Sequence, residues 1–144
     1  MAIPHFRRAG GDLPSGTHLA HLKEVEKRFG FSPRRRELIQ FGLVPVCEEL
    51  QGLGVKDLYL GGSLITGKLS PRDIDGYVIL QFASIAHLAF VERQEHWLKH
   101  NRVDLVPAFE GLSGCSVEEW EDHLSHGRGD VKTVRRIVRL LLRG

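Results

Sequence analysis

The chain has 144 residues, the size of one domain and enough to bury a core without disulfides or metals. Hydrophobic residues at 42% and charged residues at 26% describe an ordinary soluble globular protein, and no apolar run is long enough to span a membrane. A net charge of +2 is too small to argue by itself for nucleic acid.

Met1 to Gly16 holds glycines, prolines and charges without periodicity or a continuous apolar stretch. It reads as an arm (1–16) laid over a single domain (17–144) or as a loose end, and not as a secretory signal. The two cysteines, Cys47 and Cys115, lie far apart and read as reduced, partly buried residues of a cytoplasmic protein.

Thr17 can cap a helix running to about Phe29, with Gly30 as its stop. Ser32-Pro33 opens a second helix whose stripe is Leu38, Phe41, Val46, Leu50 and Leu53, and Pro45 is expected to kink or split it. Arg34-Arg35-Arg36 falls in its first turn. Three cations there oppose the helix dipole and hint at an anionic partner.

Val55 to Leu60 reads as a strand broken by Gly61-Gly62, and Ile74 to Phe82 as a second strand. Ile85 to His100 is an amphipathic helix. Arg102 to Phe109 is a third strand, with Val103 and Leu105 on one face and Asp104 and Val106 on the other. Ser116 to Glu119 is a capping box opening another helix. Val131 to Leu142 fits either a basic amphipathic helix or an edge strand. As a helix it would share Lys132, Arg136, Arg139 and Arg143 on one face; as a strand it would direct Arg135 and Arg139 one way, beside Ile137 and Leu141. The order of elements implies an α+β domain, a mixed sheet packed against helices.

The chemistry concentrates in Leu58 to Leu80, LYLGGSLITGKLSPRDIDGYVIL. Asp73 and Asp75 flank Ile74, and residues two apart on a strand share a face. Paired like charges call for neutralisation, and magnesium, a hard cation that binds carboxylates together with substrate phosphates, answers that need. Gly61-Gly62-Ser63 follows a strand. Glycine lets the backbone approach a ligand, and a helix starting at Ser63 would offer free amides to an anion.

The pattern apolar-Gly-Gly-Ser followed by Asp-apolar-Asp resembles the signature of the DNA polymerase beta-like nucleotidyltransferase superfamily, in particular its minimal members. GGSLITGKLSPRDIDG, together with the helix after RFGFSPRRREL, is similar to a group of small bacterial proteins, a likeness that covers roughly residues 13 to 108. Leu64 stands where those proteins carry an aromatic residue, a change of packing. The resemblance implies a nucleotidyltransferase-like fold and a two-metal magnesium site. It implies Ser63 at the nucleotide phosphates, Asp73 and Asp75 as metal ligands, and a third carboxylate on a neighbouring strand, for which Asp104 is the candidate. Gly61, Gly62, Lys68 and Arg72 complete the expected phosphate-binding set, the two cations neutralising triphosphate charge.

The implied activity is transfer of a nucleoside monophosphate from an NTP to a macromolecular acceptor, a partner protein or tRNA, as in two-component toxin–antitoxin modules. A catalytically degenerate binding module, serving as antitoxin or nucleotide sensor, is the alternative. An aminoglycoside-type small-molecule transferase is a third, for which the chain is short. His96 and His100, spaced i, i+4, lack a partner with metal-ligand spacing and read as surface residues, as do His123 and His126. Gly127-Arg128-Gly129 reads as a loop. Trp97 and Trp120 read as core or interface.

Overall fold

The computed structural model describes residues 3–4, 13–14, 16–109 and 136–142. In chain order these form β1 (Gly16–His21), α1 (Leu22–Phe29), α2 (Pro33–Glu37), a π-helical turn (Leu38–Leu43) and α3 (Val44–Gly52). They continue with β2 (Asp57–Gly61), a 3-10 turn (Gly62–Ile65), β3 (Ile74–Ile79) and α4 (Ile85–His96). A second π-helical turn (Trp97–Asn101), β4 (Val103–Ala108) and β5 (Arg136–Leu141) complete the set. Among the described residues the strands make one five-stranded mixed sheet in the order β1-β5-β2-β3-β4. The α+β class with a mixed sheet packed on helices is therefore the architecture. No helix among the described residues is long and apolar enough to cross a membrane.

Two expectations are corrected at the ends of the chain. Thr17 does not cap a helix; it lies within β1, which pairs in parallel with β5, Thr17 opposite Ile137. The helix starts only at Leu22, after His21, whose backbone N–H donates to Glu24 Oε1 at 3.2 Å. The C-terminal segment is a strand but not an edge: β5 lies between β1 and β2 and is hydrogen-bonded to both. Its two faces are both buried, with Ile137 on one and Val138 and Leu140 on the other, which is why no single apolar stripe marks it.

The long helical segment behaves as Pro45 dictates. Proline has no N–H to give to the carbonyl four residues back, Phe41. The helix widens to a π turn just ahead of Pro45 instead of breaking, and the Phe41 carbonyl accepts from Asn101 Nδ2 at 3.0 Å. Gly42 permits this contact, since a Cβ there would lie 2.4 Å from the Asn101 carbonyl oxygen. Nearby, Glu49 of α3 accepts from Arg93 Nε at 2.7 Å and from the Trp97 indole at 2.9 Å, tying α3 to α4. Trp97 is buried, a core residue as read.

Alternation sorts the sheet into two faces. Leu58, Leu60, Val78, Val103, Leu105 and Val138 pack on Val25, Phe29, Leu43, Val46, Leu50 and Phe90 of the helices. Ile3 and Leu13 belong to this same core. The opposite face carries a second apolar group, Tyr77, Ala108 and Ile137 with Tyr59, Ile79 and Val106 against them. Tyr59 and Tyr77 stack with ring planes 1° apart and centroids at 4.8 Å.

Candidate functional site

The carboxylates lie on the face away from the helices. Asp75 pairs with Gly61 across the antiparallel β2–β3 ladder and with Asp104 across the parallel β3–β4 ladder. Gly61, Asp75 and Asp104 thus form one row across three strands, and directly opposed residues share a face. Asp73, two residues before Asp75, falls on that side as well. Asp75 is half-buried, Asp104 exposed, and Asp73 half-buried.

The glycine-serine turn abuts this row. Gly62 has φ +69°, in the left-handed region, and a Cβ built on it would sit 2.7 Å from Asp75 Oδ2. Only glycine meets both conditions without strain. From Gly62 the chain makes a single 3-10 turn. This corrects the expectation of a helix starting at Ser63: one turn cannot supply a helix dipole, so any anion here would be met by individual amides and side chains. Ser63 is half-buried, whereas Lys68 and Arg72 are exposed farther along the loop.

Arg102 was missed in the sequence. It takes a left-handed conformation (φ +57°) at the entrance to β4, where its carbonyl accepts from Ile74 N at 2.8 Å. Its Nη1 lies 3.8 Å from Asp73 Oδ1. That oxygen is shielded from solvent and accepts no hydrogen bond among the described residues. A cation beside a carboxylate two residues from Asp104 leaves no mark in periodicity. The signal that could have found it is its placement just ahead of the strand carrying Asp104.

The donor set, three carboxylates, is of the hard oxygen type that magnesium prefers, and the shielded Asp73 oxygen fits the same role. Among the described residues, however, no group of three His, Cys, Asp or Glu side chains is drawn together tightly enough to hold a metal ion. The rings of His96, at the end of α4, and His100, in the second π turn, lie with centroids 4.5 Å apart on the exposed surface.

The arginine triplet is not simply a free charged turn. Arg35 is fully buried, and all five of its hydrogen bonds go to backbone carbonyls. Burial lowers its pKa to about 10, which still leaves it a cation at neutral pH. Arg34 donates to the carbonyls of Pro71 and Arg72, and Arg36 to that of Gly30.

Two of the C-terminal cations, Arg136 and Arg139, are likewise engaged. Arg136 Nε donates to the Leu13 carbonyl at 3.0 Å, and Arg139 makes a two-pronged pair with Asp57 at 3.1 and 3.3 Å. Neither belongs to a helical basic face, because the segment is a strand. Lys132, Arg135 and Arg143, the Ser116–Glu119 capping box, Cys115, Trp120, His123, His126 and the Gly127–Gly129 loop lie outside the described residues. A cleft of ≈ 470 Å³ opens at the far ends of β2 and β3, lined by Asp57, Tyr59, Ile79 and Ser84 among others, away from the carboxylate row.

No curated protein and no solved structure matches the chain. Residues 4–140 match a family described as "Family of unknown function (DUF6932)". With nearly its whole length matched, the chain belongs to the DUF6932 family.

Proposed function

We propose that this protein is a metal-dependent nucleotidyltransferase that moves a nucleoside monophosphate from an NTP to a protein or RNA acceptor. The observation that carries the reading is the row Gly61–Asp75–Asp104, with Gly62 seated against the Asp75 carboxylate. A glycine-serine turn and carboxylates on one face are what a site needs to bring triphosphate and metal together. The resemblance to minimal nucleotidyltransferases gives the same assignment.

In this reading an acceptor hydroxyl oxygen bonds to the α-phosphorus, the bond to pyrophosphate breaks, and the hydroxyl proton passes to Asp104 or to solvent. Ser63 and the backbone at Gly61 and Gly62 hold phosphate oxygens, while Lys68 and Arg72 offset the triphosphate charge. Asp73, Asp75 and Asp104 would hold magnesium, which when bound would neutralise charge on the attacking and leaving oxygens. Catalysis is then mostly positioning and electrostatics. The reading implies a cytoplasmic protein with NTP at hand, and an acceptor such as tRNA or the partner in a two-component toxin–antitoxin module.

Two observations favour a second reading, a degenerate module that binds nucleotide without transferring it. Arg102 already stands beside Asp73, and the carboxylates are not gathered into a metal-holding group. Incubation with magnesium, each α-labelled NTP and cell lysate separates the two. Label on a protein or RNA with wild type, lost with Asp75→Asn, supports transfer. NTP-dependent stabilisation without label supports the binding module. Transfer retained by Asp75→Asn overturns the site.

A further inference from the structure

Arg35 is the one fully buried charged side chain among the described residues. Its guanidinium is spent on carbonyls rather than on a carboxylate. Nε donates to Lys68 O at 2.7 Å, Nη1 to Leu64 O at 2.5 Å, and Nη2 to Ser63 O and Thr66 O at 3.0 and 2.6 Å. The remaining Nη1 bond goes to Phe29 O at 3.2 Å, and Cζ lies 4.2 Å from the Phe31 ring centroid. Two neighbours extend the grip along the same loop. Ser32 Oγ donates to Leu69 O at 2.7 Å, and Arg34 reaches Pro71 O and Arg72 O at 3.3 and 3.0 Å.

The loop between the serine and the aspartates is thus held by the start of α2 through carbonyls alone. Among the described residues every peptide bond is trans. In a trans peptide the C=O and N–H point in opposite directions. Each carbonyl turned toward α2 therefore turns the following amide the other way. The guanidinium also draws the negative ends of the loop dipoles inward, away from any approaching polyanion. A lysine could not do this, because its three donors have no planar five-fold fork.

We infer that Arg35 is a positioning residue for the phosphate-binding loop, fixing Ser63 and residues 64–72 in the conformation that receives the polyphosphate of an NTP. The inference rests on the nucleotidyltransferase reading and assigns a role to a side chain that touches no substrate. Arg34 is its weaker auxiliary.

The test compares wild type with Arg35→Lys and, as a milder variant that spares the buried fork, Arg34→Ala. Folding is checked by near-ultraviolet circular dichroism, loop order by amide hydrogen exchange over residues 63–72, and function by KM for NTP against kcat with magnesium. A displaced loop weakens phosphate binding: KM is expected to rise about tenfold in Arg35→Lys and about threefold in Arg34→Ala, with kcat within about threefold and faster exchange in the loop. A merely structural role would instead reduce the active fraction, lowering apparent kcat at unchanged KM. Folded variants with unchanged KM overturn the inference while the activity stands. Wild type that binds no NTP, with loop exchange still accelerated in both variants, overturns the nucleotidyltransferase reading and the phosphate-positioning role with it.

Discussion

Asp75 and Asp104 face one another across the parallel ladder of β3 and β4, two acidic residues in direct register on one side of the sheet. Like charges directly opposite each other destabilise a sheet, so this arrangement stands against folding stability alone. Replacing Asp104 with Asn is expected to leave the melting temperature unchanged or slightly raised without magnesium, and to lower transfer by about a hundredfold or more if Asp104 accepts the proton. Thermal melts with and without magnesium and NTP, beside a transfer assay, measure both. A marked loss of stability in the metal-free variant would count against a site built around repulsion.

Gly62 is expected to tolerate no side chain. Gly62→Val places a β-branched residue at φ +69° and drives its Cβ onto the Asp75 carboxylate. Left-handed strain costs on the order of 1–3 kcal/mol. Urea unfolding should show a loss in that range, and NTP titration should show binding abolished. Ser63→Ala removes one donor and is expected to weaken NTP binding by about 1 kcal/mol. Equal affinity in all three proteins would locate the triphosphate elsewhere.

The Pro45 defect makes a double-mutant cycle informative. Asn101→Ala strips the Phe41 carbonyl of its donor and is expected to cost about 1 kcal/mol. Pro45→Ala restores an N–H that can serve the same carbonyl, so Asn101→Ala should cost less in that background. Additive losses would show that Asn101 stabilises the turn by some other contact.

Cys47 is buried, and its thiol is pushed up to about 12, first by desolvation and then by Glu48. A thiol whose folded pKa lies above its unfolded value favours the unfolded state once the unfolded thiol ionises. Stability from this group is therefore flat below about pH 9 and falls between there and about pH 12, by roughly 1.4 kcal/mol per unit at most. Chemical denaturation of wild type and Cys47→Ala at pH 8 and pH 10.5 should show a steeper alkaline loss for wild type. In the native protein at pH 8, Cys47 is expected to resist alkylation until the chain unfolds.

Arg139 and Asp57 are expected to serve the sheet rather than an acceptor. Arg139→Gln removes a partly exposed two-pronged pair between β5 and β2, worth about 1 kcal/mol at most. The melting temperature should drop slightly, with little change in the salt dependence of tRNA binding. A large loss of tRNA affinity at constant stability would return Arg139 to the acceptor surface.

Much of the sheet and the carboxylate row was legible because its signals are local. Asp104 announces itself by alternation with Val103 and Leu105, and the register then sets it beside Asp75. Gly62 is legible as a glycine but not as one pressed against Asp75, which depends on the antiparallel return of the chain. What escaped depends on distant partners. Residues 17–21 become a strand only because residues 137–141 lie alongside, so helix signals at Thr17 were overruled by a pairing more than a hundred residues away. The arginine triplet misled for the same reason: a charge on a first turn looks solvated until a loop some thirty residues later wraps its carbonyls around it. The metal and the transferred group leave no comparable geometric trace among the described residues.

The internal position of β5, between β1 and β2, also orders events during synthesis. β1 and β2 cannot be joined until Arg136–Leu141 has left the ribosome, since that strand is the seam between them. Until then a nascent chain carries two open strand edges facing one missing neighbour, a template to which any extended peptide could add. Among the described strands β5 is the last to be made and the one that closes the sheet, so loss of those few residues would detach β1 from β2, β3 and β4 rather than trim a border.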